Sequence, residues 1–330
     1  MSKRFLTILV ITMITAATLF AAGSDQRDRA VGSQEVKYTF YAMGVQPGVD
    51  PFWATVYKGI QAAEEVLPVK VNYQGMTEGE INPAGIANKM ETAVAARPDG
   101  IIAGFWFLEA ISDLSKFAID QGIPMIAYNL EDIRPIPERV PYLGYIGMDE
   151  RITGEILAEA TLNKIDIDRA VIGIQYPGSS SLETRARGIE KVLRENGIPF
   201  DKLDITPNPS TAITVMGAYK QRFPETNVFF LLGPVGTHPA LQLIEEMKLD
   251  DVVISTFDVS ERTITGIKDG RILYTIAQQP FAQGYMAVEQ LYMYLEYGII
   301  PPQRTQTGPT LVDDGNVDAI EKQLQRTGGA

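Results

Sequence analysis

From Val36 onward, apolar residues recur with two alternating periods. Val36, Tyr38, Phe40 and Ala42 share one side of an extended run, which predicts a strand over 36–45. Phe52, Val56, Ile60, Ala63 and Leu67 then return at helical spacing, and Pro68 stops them. The cycle repeats with strands over 69–73, 100–103 and 123–128 and helices over 83–96 and 110–121. The second half follows the same grammar. Strands are predicted over 170–175, 228–232, 252–257 and 271–277, and helices over 182–196, 212–222, 240–247 and 260–268. Phe281, Tyr285, Val288, Tyr292 and Leu295 mark a last long helix that stops at Gly298. Ser260 is well placed to cap the helix that follows it.

Strands separated by helices throughout imply βαβ units and parallel sheets covered on both faces. The pattern holds too many units for one small sheet. It fits either two doubly wound lobes or one eight-fold barrel. Both architectures place ligands at the C-terminal ends of the strands, so strand-end residues are the candidates for function. The one proline-rich connector, 299–309, reads as a crossing segment near the end of the chain.

Composition narrows the chemistry. The chain of 330 residues has 29 basic and 41 acidic side chains, a net charge of −12, no cysteine and one histidine. The acidic surplus argues against nucleic acid and anionic membrane surfaces. Without cysteine there are no disulfides, thiol nucleophiles or Cys-ligated metals, and His238 alone leaves little room for a triad or a His-based metal site. No cofactor is expected. At the N-terminus, Lys3 and Arg4 precede an uncharged apolar run and then Ala21-Ala22-Gly23, the pattern of an export signal over 1–24. Residues 25–35 read as a polar, flexible leader. An anchoring helix is the alternative reading of the first segment, although its run is short of the about 20 residues a span needs.

Catalytic and phosphate-binding motifs fail. No Gly-x-Gly-x-x-Gly follows the first strand. Gly173 and Gly178 have phosphate-loop spacing but Ser179-Ser180 follow instead of Lys-Ser/Thr. Gly178-Ser179-Ser180-Ser181 lacks the second glycine of a nucleophile elbow, and Asp313-Asp314 sits among turn residues.

Asp50-Pro51-Phe52-Trp53 survives this filter. It follows the first strand and opens the first helix, so Asp50 suits an N-cap and Pro51 a first helical position. Phe52 joins the apolar stripe. Trp53 does not, and an aromatic there can stack on the C–H face of a sugar while Asp50 accepts hydroxyl hydrogen bonds.

At this motif the chain resembles the periplasmic sugar-binding proteins of the ribose-binding type, the receptors of ABC importers. The resemblance runs over about 36–317. It rests on Asp50-Pro51-Phe52-Trp53 with Tyr57-Lys58-Gly59-Ile60-Gln61-Ala62-Ala63, on Arg97-Pro98-Asp99-Gly100-Ile101-Ile102 and Gly122-Ile123-Pro124, and on Arg185-Ala186-Arg187-Gly188. Thr256-Phe257-Asp258, Asp269-Gly270-Arg271-Ile272 and Thr275-Ile276-Ala277-Gln278-Gln279-Pro280 complete it. The resemblance implies the type I periplasmic binding protein fold: α/β, with two doubly wound parallel-sheet lobes, three crossing segments and a ligand cleft between the lobes. The crossings are expected near 148–151, 278–279 and 307–309, with a first lobe of 36–148 and 280–306 and a second of 149–279 and 307–330.

Carried across residue by residue, the resemblance makes Asp50, Phe52 and Trp53 first-lobe contacts. Asn129 stands where the family commonly has Asp. Arg185 matches a second-lobe arginine, Asp258 an acid that contacts hydroxyls, and Gln278 a crossing-segment amide. Each also has a plainer reading: Arg185 as a helix-surface cation, Asp258 as a cap. Two departures stand out. Leu130 replaces an arginine, and Gly233-Pro234 replaces Asn-Asp after the strand ending at Leu232. Phe105 and Trp106, in the run Phe105-Trp106-Phe107, read either as lobe-interface packing or as ligand-stacking rings. His238 reads either as a cleft donor or as a residue at a helix start.

The resulting expectation is an exported, monomeric, non-enzymatic receptor for a monosaccharide or polyol that delivers it to the permease of an ABC importer. A chemosensory receptor of the same fold is the first alternative, and an exported carbohydrate-active α/β enzyme the second. No nucleic-acid partner is expected.

Overall fold

The computed structural model describes residues 35–327. The expected export signal (1–24), nearly all of the expected leader (25–35) and the last three residues lie outside them. The chain builds two six-stranded sheets rather than one barrel. In the first half, β1 (Tyr38–Val45), β2 (Val69–Met76), β3 (Gly100–Ala103), β4 (Met125–Asn129) and β5 (Gly144–Gly147) alternate with α1 (Pro51–Val66), α2 (Pro83–Ala95) and α3 (Leu108–Asp120). The first sheet has the order β11-β5-β4-β3-β1-β2, with β11 (Arg304–Gln306) arriving from the far end of the chain. All its pairings are parallel.

The second lobe starts with α4 (Glu150–Lys164) and β6 (Ala170–Ile174). It continues through α5 (Ser180–Glu195), β7 (Phe200–Asp204), α6 (Pro209–Arg222), β8 (Val228–Leu231), α7 (Pro234–Met247), β9 (Val253–Phe257), α8 (Glu261–Lys268) and β10 (Ile272–Ala277). Its order is β12-β10-β9-β8-β6-β7, in which only β12 (Thr310–Val312) runs antiparallel. Helix α9 (Pro280–Tyr297) returns to the first lobe and packs on α1 and β4. Helix α10 (Val317–Thr327) closes the second lobe against α8. The chain thus passes between the sheets three times, after β5, after β10 and between β11 and β12. Strands β3, β4, β6 and β8 are buried at every residue, as parallel strands covered by helices on both faces must be.

Most predicted elements are present with ends shifted by a few residues. The pattern missed β5, β7, β11, β12, α4 and α10. Helix α4 hides because its buried positions include Thr153, Gly154, Ala158 and Thr161, small or polar residues that leave no apolar stripe. Helix α7 starts at Pro234 rather than 240. Pro239 reads as a breaker but stands inside the helix, where its missing N–H forfeits one backbone hydrogen bond.

Each lobe joins two helices by the same device. A Cβ on Gly59 of α1 would stand 2.1 Å from the Phe281 carbonyl oxygen, and one on Gly284 of α9 would stand 2.1 Å from that of Val56. In the second lobe, Gly154 of α4 faces the Arg185 carbonyl and Gly188 of α5 faces the Arg151 carbonyl, each at 2.2 Å. Only glycine permits backbones this close. Gly59→Ala and Gly188→Ala should each cost about 2 kcal/mol or more in thermal unfolding followed by circular dichroism. Gly79→Ala, with open space around it, should leave the melting temperature unchanged.

Candidate functional site

The C-terminal ends of the strands from both lobes converge on one cleft. From the first lobe, Asp50 caps α1 by accepting from the Phe52 N–H at 2.9 Å through Oδ1. Pro51 fixes the first helical turn behind it. Phe52 and Trp53 follow, both nearly buried and both lining the cavity. Trp53 lies against Trp106 with ring centroids 4.9 Å apart, and edge-on to Tyr128 at 5.6 Å. The cavity therefore has a fixed aromatic wall.

Asn129 ends β4 and Asp258 follows β9, with φ of 61° and 71°. Asn and Asp tolerate this left-handed backbone better than most residues, and it turns both side chains into the cavity lining. Asn129 Nδ2 donates to Gln283 Oε1 at 3.2 Å and to Gln278 Oε1 at 3.4 Å. Gln283 Nε2 in turn donates to the Gln278 carbonyl and to Thr307 Oγ1. Tyr145 OH donates to the carbonyls of Asn129 and Met148. Side-chain bonds thus touch all three crossings.

Arg185 reaches the cavity from α5. Its Nε and Nη2 donate to the two oxygens of Glu150, its Nη1 donates to the Leu232 carbonyl at 2.9 Å, and its guanidinium lies 4.5 Å from the Phe257 ring centre. Burial opposes the charge, but Glu150 more than offsets it, so Arg185 stays protonated. Burial pushes Asp50 up to about 6, against the Phe52 N–H and the Arg185 charge. It pushes Asp258 to about 7. Asp50 adds to that rise, while Arg185 and Gln278, whose Nε2 donates to Asp258 Oδ1, oppose it.

Of the residues singled out in the sequence, Asp50, Phe52, Trp53, Trp106, Asn129, Arg185, Asp258 and Gln278 meet around this cavity. Phe105 and His238 do not. Phe105, two residues past the end of β3, is fully buried against Tyr142, while Trp106 beside it lines the cavity. His238 faces a different recess, with Pro209, Gln242 and Arg262, and its Nε2 pairs with Ser260 Oγ at 3.0 Å. Burial, aided by Arg262, lowers it to about 4.

The cavity also holds residues that the sequence did not single out: Phe107, Gln175, Tyr176, Ser179 and Ser181. Gln175 immediately follows the buried run of β6, so the strand-end rule that points to Asn129 and Asp258 points to it too.

The lobes also touch directly. Ser180, the first residue of α5, donates its N–H to the Trp106 carbonyl at 3.0 Å and its hydroxyl to the Phe105 carbonyl at 2.8 Å. Proline fits a first helical position and lacks an N–H, and Ser179 before it is already extended. Ser180→Pro therefore removes both bonds without breaking the helix. The expected result is a larger radius of gyration in small-angle scattering of the ligand-free protein; an unchanged value would show that these bonds do not hold the lobes together.

Asp258 generates a pH prediction. Its folded value of about 7 lies above the ordinary carboxylate value of 3.8. The folded state therefore binds the extra proton between these limits, and this group's contribution to stability falls as pH rises through 7. Asp258→Asn should melt higher than the parent at pH 8 and show a smaller difference at pH 5, in the absence of ligand. Equal differences at both pH values would contradict this.

Comparison with known proteins agrees with this geometry. The sequence profile of the periplasmic binding protein domain matches residues 41–298. The xylose/arabinose-binding protein XylF of Sulfolobus acidocaldarius is 26% identical over 281 residues, which cover 81% of this chain and 69% of that protein. A carbohydrate transporter protein of Acidothermus cellulolyticus, solved in complex with myo-inositol, superposes with a TM-score of 0.79. It is 27% identical and covers 88% of this chain and 99% of its own. A periplasmic sugar-binding protein of Legionella pneumophila superposes with a TM-score of 0.76 at 26% identity, covering 82% and 100%.

Proposed function

Because the chain belongs to the periplasmic binding protein family, we propose that it is an exported receptor that captures a small polyhydroxylated ligand, a monosaccharide or polyol, between its lobes. It hands the ligand to the permease of an ABC importer and works as a monomer. The observation that carries this reading is the composition of the cavity: aromatic faces beside buried carboxylates, amides and a guanidinium, drawn from both lobes. Vicinal hydroxyls are donor–acceptor pairs, and these groups can bind two at once. Such bonds gain strength where closure excludes water. The names of the relatives support the ligand class, since they bind xylose, arabinose or myo-inositol.

In this reading the site residues are Asp50, Phe52, Trp53, Trp106, Asn129, Gln175, Arg185, Asp258 and Gln278. The lobes comprise 36–148 with 280–306 and 149–279 with 307–330, a division that the membership of the two sheets supports. The export signal over 1–24 and a periplasmic or other extracytoplasmic location belong to the same proposal.

Thermal shift and calorimetry against pentoses, hexoses, deoxy sugars, alditols and inositols test it. Ligand at 100 times its dissociation constant should add about 2.7 kcal/mol of stability. Asp50→Asn keeps the helix cap and removes the charge, and should weaken binding of the best ligand by about tenfold or more. A broad panel without a single binder would overturn the proposal.

A further inference from the structure

The cavity is lined by carboxylate and amide oxygens that no donor among the described residues reaches. Asp50 Oδ1 is taken by the Phe52 N–H and Asp258 Oδ1 by Gln278 Nε2, and among the described residues no donor reaches the second oxygen of either. Both side chains are more than nine-tenths buried and line the cavity. Gln175, 4% exposed on the same lining, has a buried Oε1 with no partner. On the other side of the balance, Arg185 is the one cation among the described residues that line the cavity. Three of its five N–H groups are already spent on Glu150 and the Leu232 carbonyl. Counting Glu150, three carboxylates face one guanidinium. Asp50 and Asp258 are close enough for the charge of one to act on the other. A neutral polyol would supply hydroxyl donors but would leave both carboxylates pushed toward their protonated forms by burial, whereas a cation between them would favour their charged forms.

An ammonium group answers both deficits. It carries three donors, no acceptor and a positive charge. The walls suit it as well, since Phe52, Trp53, Trp106, Phe107 and Tyr176 line the same space and the π faces of such rings attract cations. We propose that the preferred ligand is a cationic polyol, an amino sugar or amino-cyclitol, whose ammonium group lies between the free oxygens of Asp50 and Asp258. The inference rests on the polyol reading above and sharpens it. It also predicts that sugar acids are rejected, because a carboxylate would add to the three already there.

The test is calorimetry on the full chain at pH 7 with matched sets: glucosamine, glucose and glucuronate; galactosamine, galactose and galacturonate; an amino-deoxyinositol and myo-inositol. The amine of at least one set should bind about tenfold or more tighter than its neutral parent, the gain of one charge-assisted hydrogen bond. The uronates should not bind. In Asp258→Asn, which keeps the shape and removes a charge, the preference for the amine should shrink toward parity. A neutral parent that matches or exceeds its amine in every set overturns the inference and leaves the polyol receptor standing. The same holds if Asp258→Asn and Asp50→Asn both keep the full preference. If no amine, neutral sugar or inositol binds, the receptor reading itself fails.

Discussion

Arg185 is the charge around which the cleft is organised. It is drawn out of water by its burial, held at two points by Glu150 from the first turn of α4, and laid over the ring of Phe257 at the end of β9. A buried guanidinium is tolerable only when such partners replace its hydration. The same bonds fix the relative placement of α4, α5 and the ends of β8 and β9, which together form the second-lobe wall. The close crossing of α4 and α5 belongs to this arrangement, because the carbonyl that Gly154 approaches is that of Arg185 itself. Backbone packing therefore sets where the side chain starts, and Glu150 sets where it ends.

The first lobe meets this wall with amides and rings rather than charge pairs. Asn129, Gln278 and Gln283 satisfy one another and reach Thr307, so the polar groups at the crossings are accounted for without trapped ions. Asp50 and Asp258 are the exceptions, each left with an oxygen open. A protein that only had to be stable would gain from removing them. Their presence next to aromatic faces is what separates a binding cleft from a core.

How far the sequence spoke for itself depended on the kind of signal. Periodicity carried the parallel strands and most helices, because burial on both faces writes long apolar runs. It failed for α4, whose contact with α5 is made by glycine and threonine, and for the short strands β11 and β12, which are only three residues long. Asp50 and Trp53 could be singled out from the residues themselves, as a cap and an off-stripe ring at a helix start, whereas Asn129, Arg185, Asp258 and Gln278 were singled out through the family resemblance. Phe105 and Trp106 could not be told apart, since adjacent residues leaving a strand point to opposite sides and the composition of the run does not say which is inward. Of the two readings of His238, the structure bears out the residue near a helix start and not the cleft donor.

Ser180 fastens the two lobes onto backbone carbonyl oxygens of the first lobe, not onto its side chains. Every residue type offers the same carbonyl. The ring at Trp106 can therefore change over evolutionary time, altering what the cleft accepts, while the fastening stays as it is. Such a receptor can acquire a new ligand without having to relearn how to shut.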